Sequence, residues 1–132
     1  MLRLAAFLVL LAGAVGAADL KPGDEPLSVE EWRRLTDGRV VWYAIEGQHW
    51  GREYFHRGRQ VATFVANDGT CMTAPWVEAD GVFCFAYMGM DCFHHIRRDG
   101  QLMVVPTTGG ATQVIERITD DGPLSCEPPV SS

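Results

Sequence analysis

The sequence predicts a mainly β domain, built as a small antiparallel barrel or sandwich of about seven or eight strands with one short N-terminal helix. Turn signals made of Gly, Asp, Asn and Pro recur about every 10 to 13 residues. The runs between these signals are rich in aromatic and β-branched residues, which suit a half-buried strand. Strands do not alternate with helical patterns, so a nucleotide-binding α/β fold is not expected.

Residues 1–18 have the features of a signal peptide. Arg3 provides the positive end, Leu4 to Ala14 provide the apolar stretch, and the small residues that follow provide a cleavage site. The alternative is an uncleaved membrane anchor, but the apolar stretch is shorter than the roughly 20 residues that a spanning helix needs. We therefore expect a periplasmic or secreted protein whose mature chain begins with a flexible leader over residues 19–26.

A short helix is predicted directly after this leader. Ser28 is a favourable N-cap, and Glu31 three residues later completes a capping box. Leu27 before the cap and Trp32 in the helix have the spacing of a hydrophobic staple. Asp37-Gly38 ends the helix after about two turns, which is too short for independent stability. Trp32 is therefore expected to dock against the rest of the domain.

Strand signals fill the remainder of a β-rich domain predicted over residues 27–120, which is followed by a C-terminal tail over residues 121–132. A turn or loop is expected from Glu46 to Trp50. Pro75 lacks a backbone donor, so the strand that contains it is expected to be irregular or at an edge. The predicted strands are Arg39 to Ile45, Gly51 to His56, Gln60 to Ala66, Thr70 to Val77, Val82 to Met88, Cys92 to Arg98, Gln101 to Val105 and Ala111 to Thr119.

The charge of the chain limits the classes of partner. The formal net charge is −6, and it becomes −7 once Arg3 is removed with the signal peptide. Nucleic acids and anionic membrane surfaces require clustered Lys and Arg, so neither is an expected partner of the mature protein. The expected partner is instead a protein or a small molecule, and no cofactor is predicted.

All four cysteines lie in the predicted mature chain, where an even number in an exported protein indicates disulfides. Three pairings are possible, and the sequence alone does not decide between them. We prefer Cys84–Cys92 because the two arms of a hairpin would make them neighbours. Cys71–Cys126 then follows by elimination and would tether the C-terminal tail. No Cys-x-x-Cys motif suggests a zinc knuckle or a redox pair.

Two hypotheses involve chemistry. Met88, Met90, His94 and His95 could form a soft-metal site such as an exported copper protein uses. Neighbouring strand residues point to opposite faces, however, so at most one of the two histidines could join the methionines. Methionine also fills gaps in ordinary protein cores, and no metal site is assigned.

The second hypothesis is a small hydrolase that uses paired carboxylates. Its candidates are Glu46, Glu53, Glu78 and Asp91. Any acidic β-domain offers that many carboxylates beside turns, and the chain has no Gly-x-Ser-x-Gly nucleophile elbow. The sequence therefore favours a protein that is not an enzyme.

The aromatic residues support a binding role. Alternation in the central hairpin places five rings on the face opposite Cys84: Phe83, Phe85, Tyr87, Phe93 and His95. Most of these rings are expected in the core. Trp50, beside His49 and Gly51 in the expected loop, is predicted to be exposed, and Trp50 and His49 are the candidate residues for contact with a ligand or partner. The sequence thus favours a non-catalytic binding or interaction module in the periplasm or outside the cell.

The order of these motifs resembles a group of small exported alphaproteobacterial proteins of unknown function. The shared pattern is Asp-Gly-x-Cys, a spaced Trp, Cys-Phe-x-Tyr and Cys-aromatic, and it falls here on Asp68, Gly69, Cys71, Trp76, Cys84, Phe85, Tyr87, Cys92 and Phe93. The resemblance extends from Leu27 to Pro128, although Ala74-Pro75 stand where that group commonly has a Gly before the Trp. It implies a periplasmic β-rich domain with paired cysteines, and it implies no activity.

Overall fold

The computed structural model of the protein describes residues 18–127. Apart from Ala18, the predicted signal peptide lies outside the described residues, as do residues 128–132 of the predicted tail. The elements are β1 (Glu25–Pro26), α1 (Val29–Thr36), β2 (Val40–Ile45), β3 (Gln48–Phe55), β4 (Val61–Ala66), β5 (Cys71–Ala79), β6 (Val82–Phe85), β7 (Asp91–Arg98), β8 (Gln101–Pro106) and β9 (Gln113–Thr119).

Strands β2 to β9 form a closed, eight-stranded antiparallel barrel. Each strand pairs with the next along the chain, and β9 pairs back with β2, so the meander has no crossover. The predicted mainly β fold is therefore confirmed, in its barrel form. Closure leaves no free edge between β2 and β9, and it directs alternate side chains of every strand into one shared interior.

The predicted helix is confirmed, and its start is as expected. The Ser28 hydroxyl accepts a hydrogen bond from the Glu31 backbone N–H at 3.1 Å. The Glu31 carboxylate does not close the capping box, because it binds the Arg97 guanidinium at 2.7 Å. Leu27 and Trp32 are fully buried on the barrel side of the helix, as the hydrophobic staple predicts.

The segment expected to be a flexible leader is held to the barrel at its C-terminal part. Glu25–Pro26 pair with β7 as a short strand, next to the point where β6 begins. The Asp24 carboxylate binds the Arg98 guanidinium through two contacts of 2.8 Å. The chain therefore enters the fold earlier than the sequence suggests, because a short strand pairing and an ion pair hold the leader without burying an apolar side chain.

The connection between β2 and β3 is shorter than predicted. Glu46 and Gly47 both have positive φ, 51° and 78°, as a two-residue hairpin turn requires. Strand β3 therefore begins at Gln48, and the prediction that places Trp50 in a loop is wrong. The same turn geometry recurs at Asp80-Gly81 and Asp99-Gly100.

Pro75 lies inside β5, where the strand changes its main partner. Pro75 is at the end of the pairing with β4, and Trp76 is the first residue paired with β6. The Pro75 carbonyl still accepts a hydrogen bond from the Ala86 N–H at 3.1 Å. The missing proline donor is therefore tolerated at this transition. Strand β5 pairs on both sides and has no register shift, so the expectation of an irregular or edge strand is wrong.

Both predicted disulfides are present. Cys84 and Cys92 are direct cross-strand partners in β6 and β7, with their Cα atoms 4.0 Å apart. Cys71 at the start of β5 binds Cys126 in the tail, across a sequence separation of 55 residues. Structural disulfides indicate an oxidising, extracellular-type environment. No helix in the described part of the chain has the length and apolar character needed to cross a lipid bilayer.

Candidate binding site inside the barrel

Aromatic side chains fill much of the barrel interior because every second residue of each strand points inward. The hairpin face predicted to carry five rings does point inward. Phe83 is 0% exposed and Phe85 is 2% exposed, and His95 on β7 is 1% exposed. Further inward rings come from the other strands: Tyr43, Phe55, Phe64 and Trp76.

Helix α1 closes one end of the barrel with Trp32. Its indole ring lies 5.3 Å from the Phe55 ring and 4.3 Å from the His95 imidazole, measured between ring centroids. The Phe83 ring lies 6.0 Å away on the same side. These contacts join three strands beneath the helix, so any small molecule that enters the interior must do so from the opposite end.

A cavity of about 280 Å³ occupies the barrel interior. Its walls are mainly aromatic and aliphatic, with a few polar groups among them. The lining residues are Tyr43, Trp50, Glu53, Phe64, Met72, Phe85, Tyr87, Asp91, Phe93, His95, Val104 and Gln113. A mostly apolar cavity with a small number of polar groups is the usual form of a small-molecule site.

Glu53 is the main polar group of this cavity. It is 4% exposed, and its two carboxylate oxygens accept hydrogen bonds of 2.6 Å from the Tyr43 and Tyr87 hydroxyls. Burial raises the pKa of Glu53 from 4.5 to about 7, and the two tyrosine hydrogen bonds oppose that rise. Burial, together with the adjacent carboxylate, raises the pKa of both tyrosine hydroxyls.

Gly51 makes room for the ring that lies across from Glu53. Phe64 is the cross-strand partner of Glu53, and its ring lies over the Cα atom of Gly51. A β-carbon at position 51 would overlap this ring. The absence of a side chain at Gly51 therefore allows Phe64 to form part of the wall, 4.8 Å from the Trp50 ring.

Trp50 lines the cavity and is not the exposed residue that the sequence suggests. Its indole is partly buried against the core and donates its N–H to the Gln113 side-chain oxygen at 2.9 Å. His49 lies on the other side of the sheet, where Nδ1 is 3.2 Å from the Glu116 carboxylate. The two residues therefore face different environments. Trp50 is the extra residue at the register shift between β2 and β3, and this bulge turns it to the same side as Glu53, out of step with simple alternation.

His95 is a buried, neutral side chain at the inner part of the cavity. Burial, with a smaller effect of His94, lowers the pKa of His95 to about 3. Its imidazole stacks on Phe83 at 4.1 Å, and Nδ1 has no hydrogen-bond partner among residues 18–127. The ring therefore contributes an apolar face and one unused polar atom to the interior.

The soft-metal candidates are divided between the inside and the outside of the barrel. Met88 and Met90 are 80% and 62% exposed on the β6–β7 connection, whereas His95 lies inside the barrel. His94 points to the opposite face of β7. Within residues 18–127, no three or more His, Cys, Asp and Glu side chains are grouped so that they could hold a metal ion.

The carboxylate candidates separate in the same way. Glu46 is in the β2–β3 turn, and Glu78 accepts the Gly81 N–H at 2.9 Å beside the next turn. Glu53 and Asp91 both line the cavity. The sequence does contain a signal for Glu53. It is two residues from Phe55 in the same strand and therefore shares its inward face, whereas its charged neighbour Arg52 points to the other face.

The chemical character of the site is therefore that of an aromatic container with acidic polar groups, open at one end. Its aromatic walls can stack with an apolar ring, and its polar groups allow an orienting contact near Glu53. In comparisons with known proteins, no family model, no curated protein and no solved structure matches this chain.

Proposed function

We propose that this protein is a non-catalytic binding module that holds a small, flat, largely apolar molecule inside its barrel, in the periplasm or outside the cell. The observation that carries the proposal is the aromatic-walled cavity around a buried carboxylate. A core that served stability alone would gain free energy by filling this space, because interiors normally pack without voids of such size.

The volume of the cavity limits the size of the molecule. A dry apolar cavity of about 150 Å³ is large enough to bind benzene. The cavity here is about 280 Å³, which suits two fused rings with one small substituent. A larger molecule would have to extend through the open end, where Trp50 and Gln113 lie.

The proposed location rests on the cysteines and the N-terminus. One disulfide joins two strands and the other joins a strand to the tail, and structural disulfides are typical of oxidising compartments. The signal-peptide features of residues 1–18 and the resemblance to exported alphaproteobacterial proteins point the same way. Intact-mass analysis of the protein recovered from the periplasm should give a chain that lacks residues 1–18 and has no free thiol. A retained leader or four free thiols would contradict export.

Binding in the barrel is tested by filling the cavity from one of its walls. Met72 on β5 lines the cavity and is partly buried, whereas Val77 on the same strand is 53% exposed on the outer face. We expect Met72→Trp to abolish the binding of 2-naphthalenemethanol, measured by calorimetry, because the indole occupies the space of the ligand. The matched variant Val77→Trp should bind as the wild type does. Equal binding by both variants would place the ligand elsewhere.

One observation favours a hydrolase as the second candidate. Glu53 and Asp91 line the same cavity, and the pKa of Glu53 is about 7, a value suited to a general acid. This candidate predicts hydrolysis of a 4-nitrophenyl ester or glycoside that Glu53→Gln and Asp91→Asn each reduce at least tenfold. Release of nitrophenol by wild type at the rate of the Glu53→Gln variant would dismiss it.

A further inference from the structure

We propose that the molecule held in the barrel is a compact aromatic amine, bound as its cation with the ammonium group against Glu53. This inference rests on the proposed binding function and adds the chemical class of the ligand. It follows from the charges, the hydrogen-bond donors and the rings that line the cavity.

The charged side chains of the cavity wall are acidic. Glu53 and Asp91 line the cavity, and no Lys or Arg does so among residues 18–127. His95, the remaining titratable side chain apart from the tyrosines, is buried and neutral. The charged groups of the wall would therefore repel an anionic ligand. A cation would meet the Glu53 carboxylate, which has no cationic partner in the wall, in a poorly hydrated interior.

Three of the hydrogen-bond donors of the wall are already used, including both that point at Glu53. The Tyr43 and Tyr87 hydroxyls donate to Glu53, and the Trp50 indole N–H donates to Gln113. A carboxylic acid placed against Glu53 would have to break one of the tyrosine bonds to find a donor there. Each Glu53 oxygen can still accept another hydrogen bond beside the tyrosine hydroxyl. The wall around Glu53 thus offers hydrogen-bond acceptors to a ligand, and an ammonium group has the matching donors.

The rings around Glu53 favour the same ligand. Tyr87 stacks on Phe85 at 5.8 Å, and Phe64 lies 6.1 Å from Tyr87, so three aromatic rings lie close to the carboxylate region. Aromatic faces attract cations, and the attraction grows when water is excluded. The same faces stack with a flat ring of the ligand. The net charge of −7 expected for the mature chain also attracts cations over longer distances.

The test compares three probes that share one ring system and differ in charge. They are 2-naphthylmethylamine, 2-naphthalenemethanol and 2-naphthoate, titrated calorimetrically at about pH 8, where Glu53 is largely ionised. We expect the amine to bind at least about tenfold more tightly than the alcohol, as a charge-assisted hydrogen bond provides. We expect the naphthoate to bind at least about tenfold more weakly than the alcohol.

Two variants test whether the preference for the amine over the alcohol arises at Glu53. Glu53→Gln should remove the advantage of the amine over the alcohol while the alcohol still binds. Glu78→Gln removes the same charge from a turn outside the cavity and keeps an oxygen for the Gly81 N–H, so the advantage should persist. If Glu53→Gln does not fold, as circular dichroism would show, the comparison of the three probes on the wild type decides alone.

The possible failures are distinguishable. If the alcohol binds wild type as tightly as the amine, or if Glu78→Gln lowers the preference as much as Glu53→Gln, the amine assignment is overturned and the barrel site stands. If none of the three probes binds, the proposed binding function fails and the assignment of the ligand fails with it.

Discussion

Replacing Glu53 by Gln gives the protein a different dependence of stability on pH. The pKa of Glu53 is about 7 in the folded barrel, compared with 4.5 when the group is solvated. Between these values the unfolded chain loses its proton while the folded chain keeps it. Wild-type stability from this group is therefore fully present below pH 4.5 and is lost as the pH rises to 7. Gln does not titrate, so the variant lacks this loss.

The size of the effect follows from the two pKa values. One pKa unit corresponds to about 1.4 kcal/mol, so the rise from 4.5 to 7 corresponds to about 3 kcal/mol. The Gln side chain can accept a hydrogen bond from one tyrosine hydroxyl and donate one to the other. The two proteins should therefore have similar stability near pH 4.5. Near pH 8 the variant should be more stable than wild type by about 3 kcal/mol.

The difference between the two proteins is the informative quantity. His95 has a folded-state pKa of about 3 against 6.5 when solvated, and it destabilises the fold as the pH falls through that range. The two groups therefore oppose each other between pH 4.5 and 6.5, and the wild-type curve alone should be flat there. Urea unfolding of both proteins from pH 4 to pH 8 isolates the Glu53 contribution. A difference that does not change with pH would refute the buried, proton-holding state of Glu53.

Three further stability predictions follow from other contacts. Serine replacements that remove Cys71–Cys126 should lower the free energy of unfolding by about 4 kcal/mol, and those that remove Cys84–Cys92 by about 2.5 kcal/mol. The first disulfide has the larger effect because it closes the longer loop. A larger drop of the urea midpoint for the Cys84–Cys92 variant would contradict this. Trp32→Ala should lower the unfolding free energy by about 4 kcal/mol, and a loss below about 1 kcal/mol would show that α1 does not seal the barrel. His95→Phe should gain stability over wild type as the pH falls from 6.5, whereas parallel curves would show that His95 titrates normally.

Much of the fold could be predicted from short stretches of the sequence. Ser28 and Glu31 predict the start of α1 because a capping motif depends on only a few neighbouring residues. Cys84 and Cys92 predict their own pairing because a hairpin sets the two positions opposite each other. The alternation of Phe83 and Phe85 predicts their inward face for the same reason.

The cavity could not be predicted in this way. Its volume depends on how side chains from all eight barrel strands fill one interior, which no stretch of sequence records. One partner of Glu53, Tyr87, also comes from a distant part of the chain, beyond the end of β6, whereas Tyr43 lies on the neighbouring strand β2. Trp50 was misplaced because Glu46-Gly47 is a rarer form of the two-residue turn than Asn-Gly.

The most direct test of the barrel site observes its wall during titration. In protein labelled with ¹³C at the methionine methyl groups, Met72 reports the cavity, and the exposed Met88 and Met90 report the outer surface of the adjacent hairpin. Addition of 2-naphthalenemethanol should shift the Met72 methyl resonance and give nuclear Overhauser contacts between that methyl group and the naphthalene protons, while Met88 and Met90 remain unchanged. Shifts confined to Met88 and Met90, or no shift at any methionine, would contradict binding inside the barrel.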